Sequence, residues 1–392
     1  MYRVNRESNQ KATLNRIGTG SVKWDFVDEL YNGENLLPMW VADMDWSAPQ
    51  EVQEALLSRI QHPIFGYTRP SESLYTAILN WMNQKHDWKI DQDQILFSPG
   101  VVPSISAGVL ALTNPGDKVM IQSPVYTPFF DVIRKNNRVV ITNELILNEE
   151  RFQIDFEDFE TKLKEEVKLF ILCSPHNPGG AVWTREELER IVELCKTYSV
   201  PIISDEIHAD LALYKNHHIP AAKLTDNIIT LMAPSKTFNI AGLQGSLVIS
   251  QNKRYLQLME GQFLKEGIHG INVLAYTAME AAYLHGHDWL NDIISQIEEN
   301  VDTTIQFVEK NLPKLNVIKP QASYLIWIDL RNLQISDQEI TERLIKKGKL
   351  ALEPGPKYGE GGKGFVRMNI GCSKETLDEG LKRLLQSFSD LQ

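Results

Sequence analysis

The stretch NIITLMAPSKTFNIAG, residues 227–242, runs from an apolar segment directly into a lysine. Ile228, Ile229, Thr230, Leu231 and Met232 read as a buried strand, because a short uninterrupted run of this composition suits a strand covered on both faces. Ser235 and Thr237 flank Lys236, and Gly242 follows. Most lysines are solvated, since an ammonium is almost never buried without a partner. A lysine at the end of a buried strand has another use. Desolvation lowers the pKa of its amine until the amine can act as a nucleophile.

Outward from this point, the chain between about 95 and 250 alternates short β-rich runs with amphipathic ones. Strands are expected over 94–98, 118–122, 139–142, 169–173, 201–205 and 227–232. Between them lie helical patterns such as FEDFETKLKEE and TREELERIVELCKTY; in the second, Thr184 and Glu187 have the spacing of a capping box. This alternation predicts an α/β fold with a mostly parallel sheet and helices on both faces. The run 245–250 follows the Lys236 loop so closely that antiparallel pairing is expected of it.

Beyond residue 286 the texture changes. Ile293, Ile297, Val301, Ile305, Val308 and Leu312 recur every three or four residues, which predicts one long amphipathic helix. The strand-like YLIWIDL, a further helix, FVRMNIGC and a closing helix follow. The expected organisation is a large domain over 51–286 and a smaller α+β domain over 287–392, completed by an N-terminal segment, 1–50.

Bulk properties exclude several classes of function. With 392 residues, 43% of them apolar and 23% charged, the chain has an ordinary globular profile. A net charge of -11 argues against nucleic acid or an anionic membrane as the main partner and for a small metabolite. Cys173, Cys195 and Cys372 are far apart, an odd and low count that fits a reducing compartment. The opening MYRVNRESNQKATLNRIGTG is polar and lacks the apolar core of a signal peptide. No run reaches the ~18 apolar residues of a membrane span, and a cytoplasmic location is expected.

Two apparent motifs fail on context. Gly359, Gly361 and Gly364 spell GxGxxG, but a dinucleotide site needs a strand before it and a helix after it. Here the loop EPGPKY precedes and the strand-like FVRMNI follows. A phosphate loop is also excluded, because Gly362-Lys363 is followed by Gly364 and not by Ser or Thr. The nine histidines contain no HExxH, and His285 and His287 resemble a helix end. No metal site is expected.

The residues just after each expected strand tell more. After the first comes SPGVVPS, a glycine turn opening a helix, whose free amides make a phosphate cradle. The second is followed by SPVYTP with Tyr126 and the fourth by SPHNPGG with Asn177. The fifth ends in SDEIHAD with Asp205 and His208, and the sixth in the Lys236 loop. Each alone has an ordinary reading, as turn residue, helix cap, packing aromatic or core histidine. In open α/β sheets, however, ligands bind outside the carboxyl ends of the strands. The set fits pyridoxal phosphate, which needs a lysine for its aldehyde, an acid for its pyridine nitrogen and an aromatic plate for its ring.

With these residues in view, the sequence resembles the fold-type I pyridoxal-phosphate enzymes of aminotransferase class I/II. Within them it is similar to the MalY/PatB-type cystathionine β-lyases, or carbon–sulfur lyases. The likeness covers nearly the whole chain, through SVKWD, LPMWVADMDW, IFGYTRP, FSPGVV, PVYTPF, CSPHNPGG, SDEIHADL, APSKTFNIAGLQ, SYLIWIDL, LEPGPKYG and FVRMNIGC. The resemblance implies that Lys236 anchors the cofactor, Asp205 partners the pyridine nitrogen and Asn177 bonds the ring hydroxyl. His208 stands three residues after the aspartate, where aminotransferases carry a tyrosine to the same hydroxyl. Tyr126 would stack on the ring, and the amides of Val101 and Val102 with Ser235 would hold the phosphate. Tyr67 would reach the phosphate from the other subunit of a homodimer. Arg367 would grip the substrate carboxylate, with Asn177 beside it. Two positions depart from the wider pattern. Gln244 stands where many aminotransferases carry a phosphate-binding arginine, and Ala233 where they carry a serine.

The implied activity is β-elimination from L-cystathionine and related cysteine S-conjugates, with Lys236, Tyr126 and Tyr67 as the catalytic set. An aminotransferase using the same parts is the first alternative. A pyridoxal-phosphate-binding regulatory protein acting through a protein partner is the second.

Overall fold

The large sheet is built from the apolar runs identified above. In the computed structural model, which describes residues 14–148 and 151–392, seven strands form it. They are β1 (Ile95–Ser98), β2 (Lys118–Ser123), β3 (Val139–Glu144), β4 (Val167–Cys173), β5 (Ile202–Asp205), β6 (Ile228–Met232) and β7 (Ser246–Ile249). The spatial order is β3-β2-β4-β5-β6-β7-β1. Neighbours from β3 to β6 pair in parallel, while β7 runs antiparallel to both β6 and β1. Antiparallel pairing of 245–250 is therefore borne out. Residues 1–13, most of the polar opening, lie outside the described residues.

Small shifts at the strand ends have local causes. Gln94 belongs to a 3-10 turn, Gln92–Gln94, and Pro201, with no N–H to donate, precedes β5 instead of starting it. Every residue of β5 and β6 is buried, as expected where helices cover both faces. Full burial of each Ile or Leu there contributes about 1.5–3 kcal/mol. Thr184 and Glu187 form the capping box that opens helix Arg185–Thr197.

The helix Val101–Leu112, which follows β1, lies unusually close to the sheet. A Cβ at Gly108 would stand 2.5 Å from Ile203 Cδ1, so any larger residue there would require the Ile203 side chain to move. The N-terminus of this helix opens at the cavity, where Gly100, Val101 and Val102 form part of the wall.

A second sheet of four antiparallel strands carries the C-terminal part. It comprises β8 (Asn316–Ile318), β9 (Leu325–Asp329), β10 (Glu353–Pro354) and β11 (Phe365–Asn369), in the order β8-β9-β11-β10. The long helix is His287–Asn311, with Leu312 as its C-cap, and Lys374–Phe388 closes the chain. Leu37–Pro38 pairs in parallel with Leu350–Ala351. From there the segment 40–46 crosses to the large sheet, held by side chains from both parts. Asn369 Nδ2 donates to Val41 O at 2.5 Å and to Asp43 O at 2.6 Å. Asn239 Nδ2 donates to Met44 O at 2.8 Å and to Trp46 O at 2.7 Å. None of the described helices is long and apolar enough to cross a membrane.

Candidate active site

The pairing register aligns the strand ends. Cys173 sits opposite Asp205, and Asp205 opposite Leu231, so the loops that follow β4, β5 and β6 leave the sheet at one level. Lys236 lies in a single helical turn, Pro234–Thr237, immediately after β6. His208 caps the 3-10 turn Ala209–Leu211 after β5. Val101 and Val102 are the first residues of the helix that follows Gly100, where the amides have no intrahelical partners.

These elements enclose a cavity of about 210 Å³. Its wall includes Val101, Val102, Tyr126, Asn177, Asp205, His208, Ser235 and Lys236, so eight residues singled out from sequence meet in one place. Arg367, buried on β11, reaches the same wall from behind. Its Nη1 donates to Asn177 Oδ1 at 3.2 Å and its Nη2 to Trp40 O at 2.9 Å. The guanidinium also stands 5.3 Å from the centre of the Tyr358 ring.

The electrostatics of the cavity suit proton transfer. Burial pushes the Asp205 carboxyl up to about 7, with Glu206 adding to the rise and the Ile207 N–H, at 3.1 Å, opposing it. Burial, assisted by the Arg367 charge, lowers the Lys236 amine to about 8. An amine so placed is partly unprotonated near neutral pH and can attack a carbonyl or accept a proton. In the structure Lys236 Nζ donates to Ala42 O at 2.6 Å. Burial, with Lys236 and Arg367 nearby, drops His208 to about 3 and keeps its imidazole neutral. Desolvation and the Asp205 charge raise the Tyr126 hydroxyl.

Whether pyridoxal phosphate fits can be judged from these groups. Asp205 is a buried carboxylate whose natural complement is a cationic N–H. Among the described residues, His208 Nδ1 and Arg367 Nε are buried without a hydrogen-bond partner. Buried polar atoms of this kind are rarely left unsatisfied; here His208 lines the cavity that Lys236 enters, and Arg367 is bonded to Asn177 of its wall. The residues present fit the cofactor.

One candidate is not brought to the cavity. Tyr67 is fully exposed and lines a separate surface groove with Phe65, Gly66, Thr68, Gly267 and residues 269–274. Other contributors escaped the reading of side chains. Ala42 and Trp40 act through backbone carbonyls, and the buried Tyr324 donates its hydroxyl to Ala42 O at 3.0 Å. Cys173 also lines the cavity and accepts the Asn177 N–H at 3.3 Å. The only sequence signal for the first two was their place in LPMWVADMDW. The glycines of 359–364 lack the context of a dinucleotide loop: the 3-10 turn Gly355–Tyr358 precedes them, a second, Glu360–Gly362, lies among them, and β11 follows where a helix would be needed.

Comparison with known proteins is consistent with this geometry. The sequence pattern of the family "Aminotransferase class I and II" matches residues 41–384. The chain is 48% identical to cystathionine beta-lyase PatB of Bacillus subtilis, over 95% of this chain and 98% of that protein. It is 35% identical to protein MalY of Escherichia coli, over 96% and 97% of the two chains. The crystal structure of cystalysin from Treponema denticola, which contains pyridoxal 5'-phosphate, superposes with a TM-score of 0.93 at 34% identity and covers 98% of this chain and 99% of that one. A lysine-bearing cavity at the carboxyl edge of such a sheet, in a chain this similar throughout, leads to one assignment: the protein belongs to the aminotransferase class I and II family, as a fold-type I pyridoxal-phosphate enzyme of its cystathionine β-lyase, or carbon–sulfur lyase, branch.

Proposed function

We propose that the chain cleaves the Cβ–S bond of L-cystathionine and related cysteine S-conjugates, releasing a thiol (homocysteine), pyruvate and ammonia. The observation that carries this reading is the Lys236 amine, held near pKa 8 in the same cavity as Asp205 and beside Arg367. Bound pyridoxal phosphate supplies an electron sink for charge that develops at the substrate Cα.

The remaining work falls to the chain. Lys236 anchors the cofactor aldehyde and, once released, takes the Cα proton as general base. Arg367 holds the α-carboxylate through paired N–H donors, and Asn177 shares that contact and the ring hydroxyl with His208. Asp205 would pair with the pyridine nitrogen, and a cationic N–H there would lower the carboxyl pKa that burial raises. Tyr126 would cover the ring, while Val101, Val102 and Ser235 would supply phosphate donors. With the Cα proton on Lys236, the Cβ–S bond breaks, the thiolate leaves with the bonding pair and takes up a proton, and one water hydrolyses the three-carbon remainder to pyruvate and ammonia. Lys236 is the only cation among the described residues lining the cavity, which leaves no obvious second clamp for the dicarboxylic acids of many transaminases.

The same reading makes the protein a homodimer in which Tyr67 enters the partner's site. Its full exposure, next to the exposed Ile64 and Phe65, supports this. It also divides the chain into 51–286 and a smaller unit of 1–50 with 287–392, supported by the pairing of Leu37–Pro38 with Leu350–Ala351. A cytoplasmic location accords with three free cysteines.

The test supplies L-cystathionine alone, with no keto acid, and follows thiol, pyruvate and ammonia. Sustained turnover with thiol and pyruvate in equal amounts is expected. A single stoichiometric conversion, restarted only by a keto acid, would make transamination the main reaction instead.

A further inference from the structure

The segment 205–210 divides its polar side chains between two environments. Asp205 and His208 line the cavity, whereas Glu206 and Asp210 are buried outside it. Asp210 is fully engaged: Oδ1 accepts from Trp81 Nε1 at 2.9 Å and from His86 Nε2 at 2.8 Å, and Oδ2 accepts from Thr237 Oγ1 at 2.8 Å. Glu206 accepts from Ser204 Oγ at 2.8 Å, from the Ala221 N–H at 3.1 Å and from His218 Nε2 at 2.7 Å. The rings of His86 and His218 meet edge to face at 5.7 Å. A buried polar chain therefore runs from the neighbour of Asp205 to the neighbour of Lys236.

Such a chain carries a high desolvation cost and contributes when every member is satisfied and one arrangement is specified. The turn that bears Lys236 needs specifying from outside. It is four residues long, so its own backbone bonds are few. The Asp210–Thr237 bond is a direct side-chain tie between the segment of Asp205 and His208 and the turn of Lys236.

We propose that Asp210, acting through Thr237, is a positioning residue that sets where the Lys236 amine stands relative to Asp205 and His208. Trp81 and His86 hold the carboxylate in place. The proposal rests on Lys236 being the cofactor anchor, and the test keeps the two ideas apart.

The experiment uses the holoenzyme and three variants. Thr237→Val removes the hydroxyl at nearly constant shape, and Thr237→Ser restores it. Trp81→Phe removes one donor to Asp210 while keeping an aromatic ring against Phe238, which caps the lysine turn. For each, the visible circular dichroism of the bound cofactor is recorded with kcat and KM for L-cystathionine and the melting temperature. Thr237→Val is expected to change the dichroism and to lower kcat about tenfold, the size of one lost hydrogen bond to a charged group. KM should stay within about twofold, because substrate binding does not use this bond. Thr237→Ser should recover both signals, and Trp81→Phe should move the dichroism in the same direction by less. Wild-type dichroism in Thr237→Val and in Trp81→Phe, with only the melting temperature lowered, would mean a merely structural network and would overturn the proposal. So would a loss that Thr237→Ser does not recover. If Thr237→Val does not fold, the Trp81→Phe dichroism decides alone. Borohydride labelling of the wild-type protein separates the underlying reading: a label on another lysine removes the anchor role, whereas a label on Lys236 with unchanged variants removes only the positioning role.

Discussion

Arg367 on the small sheet donates from Nη1 to Oδ1 of Asn177, in the loop after β4 of the large sheet, at 3.2 Å. One hydrogen bond thus joins the proposed carboxylate clamp to the proposed partner of the ring hydroxyl. On that proposal, substrate and cofactor contacts would be coupled across the two sheets.

Arg367→Lys is expected to raise KM for L-cystathionine by about 10–100-fold, because lysine cannot reproduce the planar fork and a hydrogen bond to a charged group is worth about 1.5–3 kcal/mol. The substitution also removes the donor to Asn177 and the guanidinium beside Tyr358. Steady-state kinetics with cystathionine checks it, and an unchanged KM would remove Arg367 from the substrate site.

Lys236 is expected to carry the pyridoxyl group after borohydride reduction and peptide mapping. Lys236→Ala should then lose about 10²–10⁴-fold in kcat, the range for a missing general base. A label on Lys223 or Lys253 would contradict the placement of Lys236 in the cavity.

Asp205 gives the cofactor-free protein a distinctive pH dependence. Its carboxyl is raised from 3.8 to about 7 on folding, so between those values the folded state holds a proton that the unfolded state has released. Stability therefore falls as pH rises from about 4 to about 7, by an amount on the order of 2–4 kcal/mol, and then levels off. Asp205→Asn should flatten that decline. Urea unfolding of cofactor-free protein at several pH values between 4 and 8 measures it; parallel curves for wild type and variant would refute the shift. Lys236, lowered from 10.5 to about 8, acts in the opposite sense at higher pH, where stability should recover between those two values.

Tyr67 should act across a subunit boundary. In a mixture of Tyr67→Phe and Lys236→Ala chains, each heterodimer would contain one site with both residues intact. With random pairing in an equal mixture, about a quarter of wild-type activity should return. No recovery after confirmed exchange of subunits would confine Tyr67 to its own surface groove.

Much of the fold was legible because its signals are local. The run Ile228–Met232 announces a strand by its composition, and Thr184 with Glu187 announces a helix start by spacing alone. The cavity was legible for a related reason. Strand ends in a parallel sheet emerge on one edge, so Tyr126, Asn177, Asp205, His208 and Lys236 could be brought together from their positions after successive strands. Antiparallel pairing of β7 followed from the shortness of its connection to β6.

By itself, the sequence determined the strand and helix alternation, the chemistry available at the strand ends and the family to which the chain belongs. Those depend on side-chain type and on periods of two or of three to four residues, which the order of residues records directly. Only the tertiary structure decided what surrounds that chemistry. Lys236 meets Ala42 O across 194 residues, and Arg367 meets Trp40 O across 327. A backbone carbonyl is the same group at every residue, so no pattern distinguishes the few that face a buried cation. The pKa values of Lys236 and Asp205 likewise follow from desolvation by distant segments. Local periodicity carries no record of which segments pack together, and that packing is what turns an ordinary lysine into a reactive one.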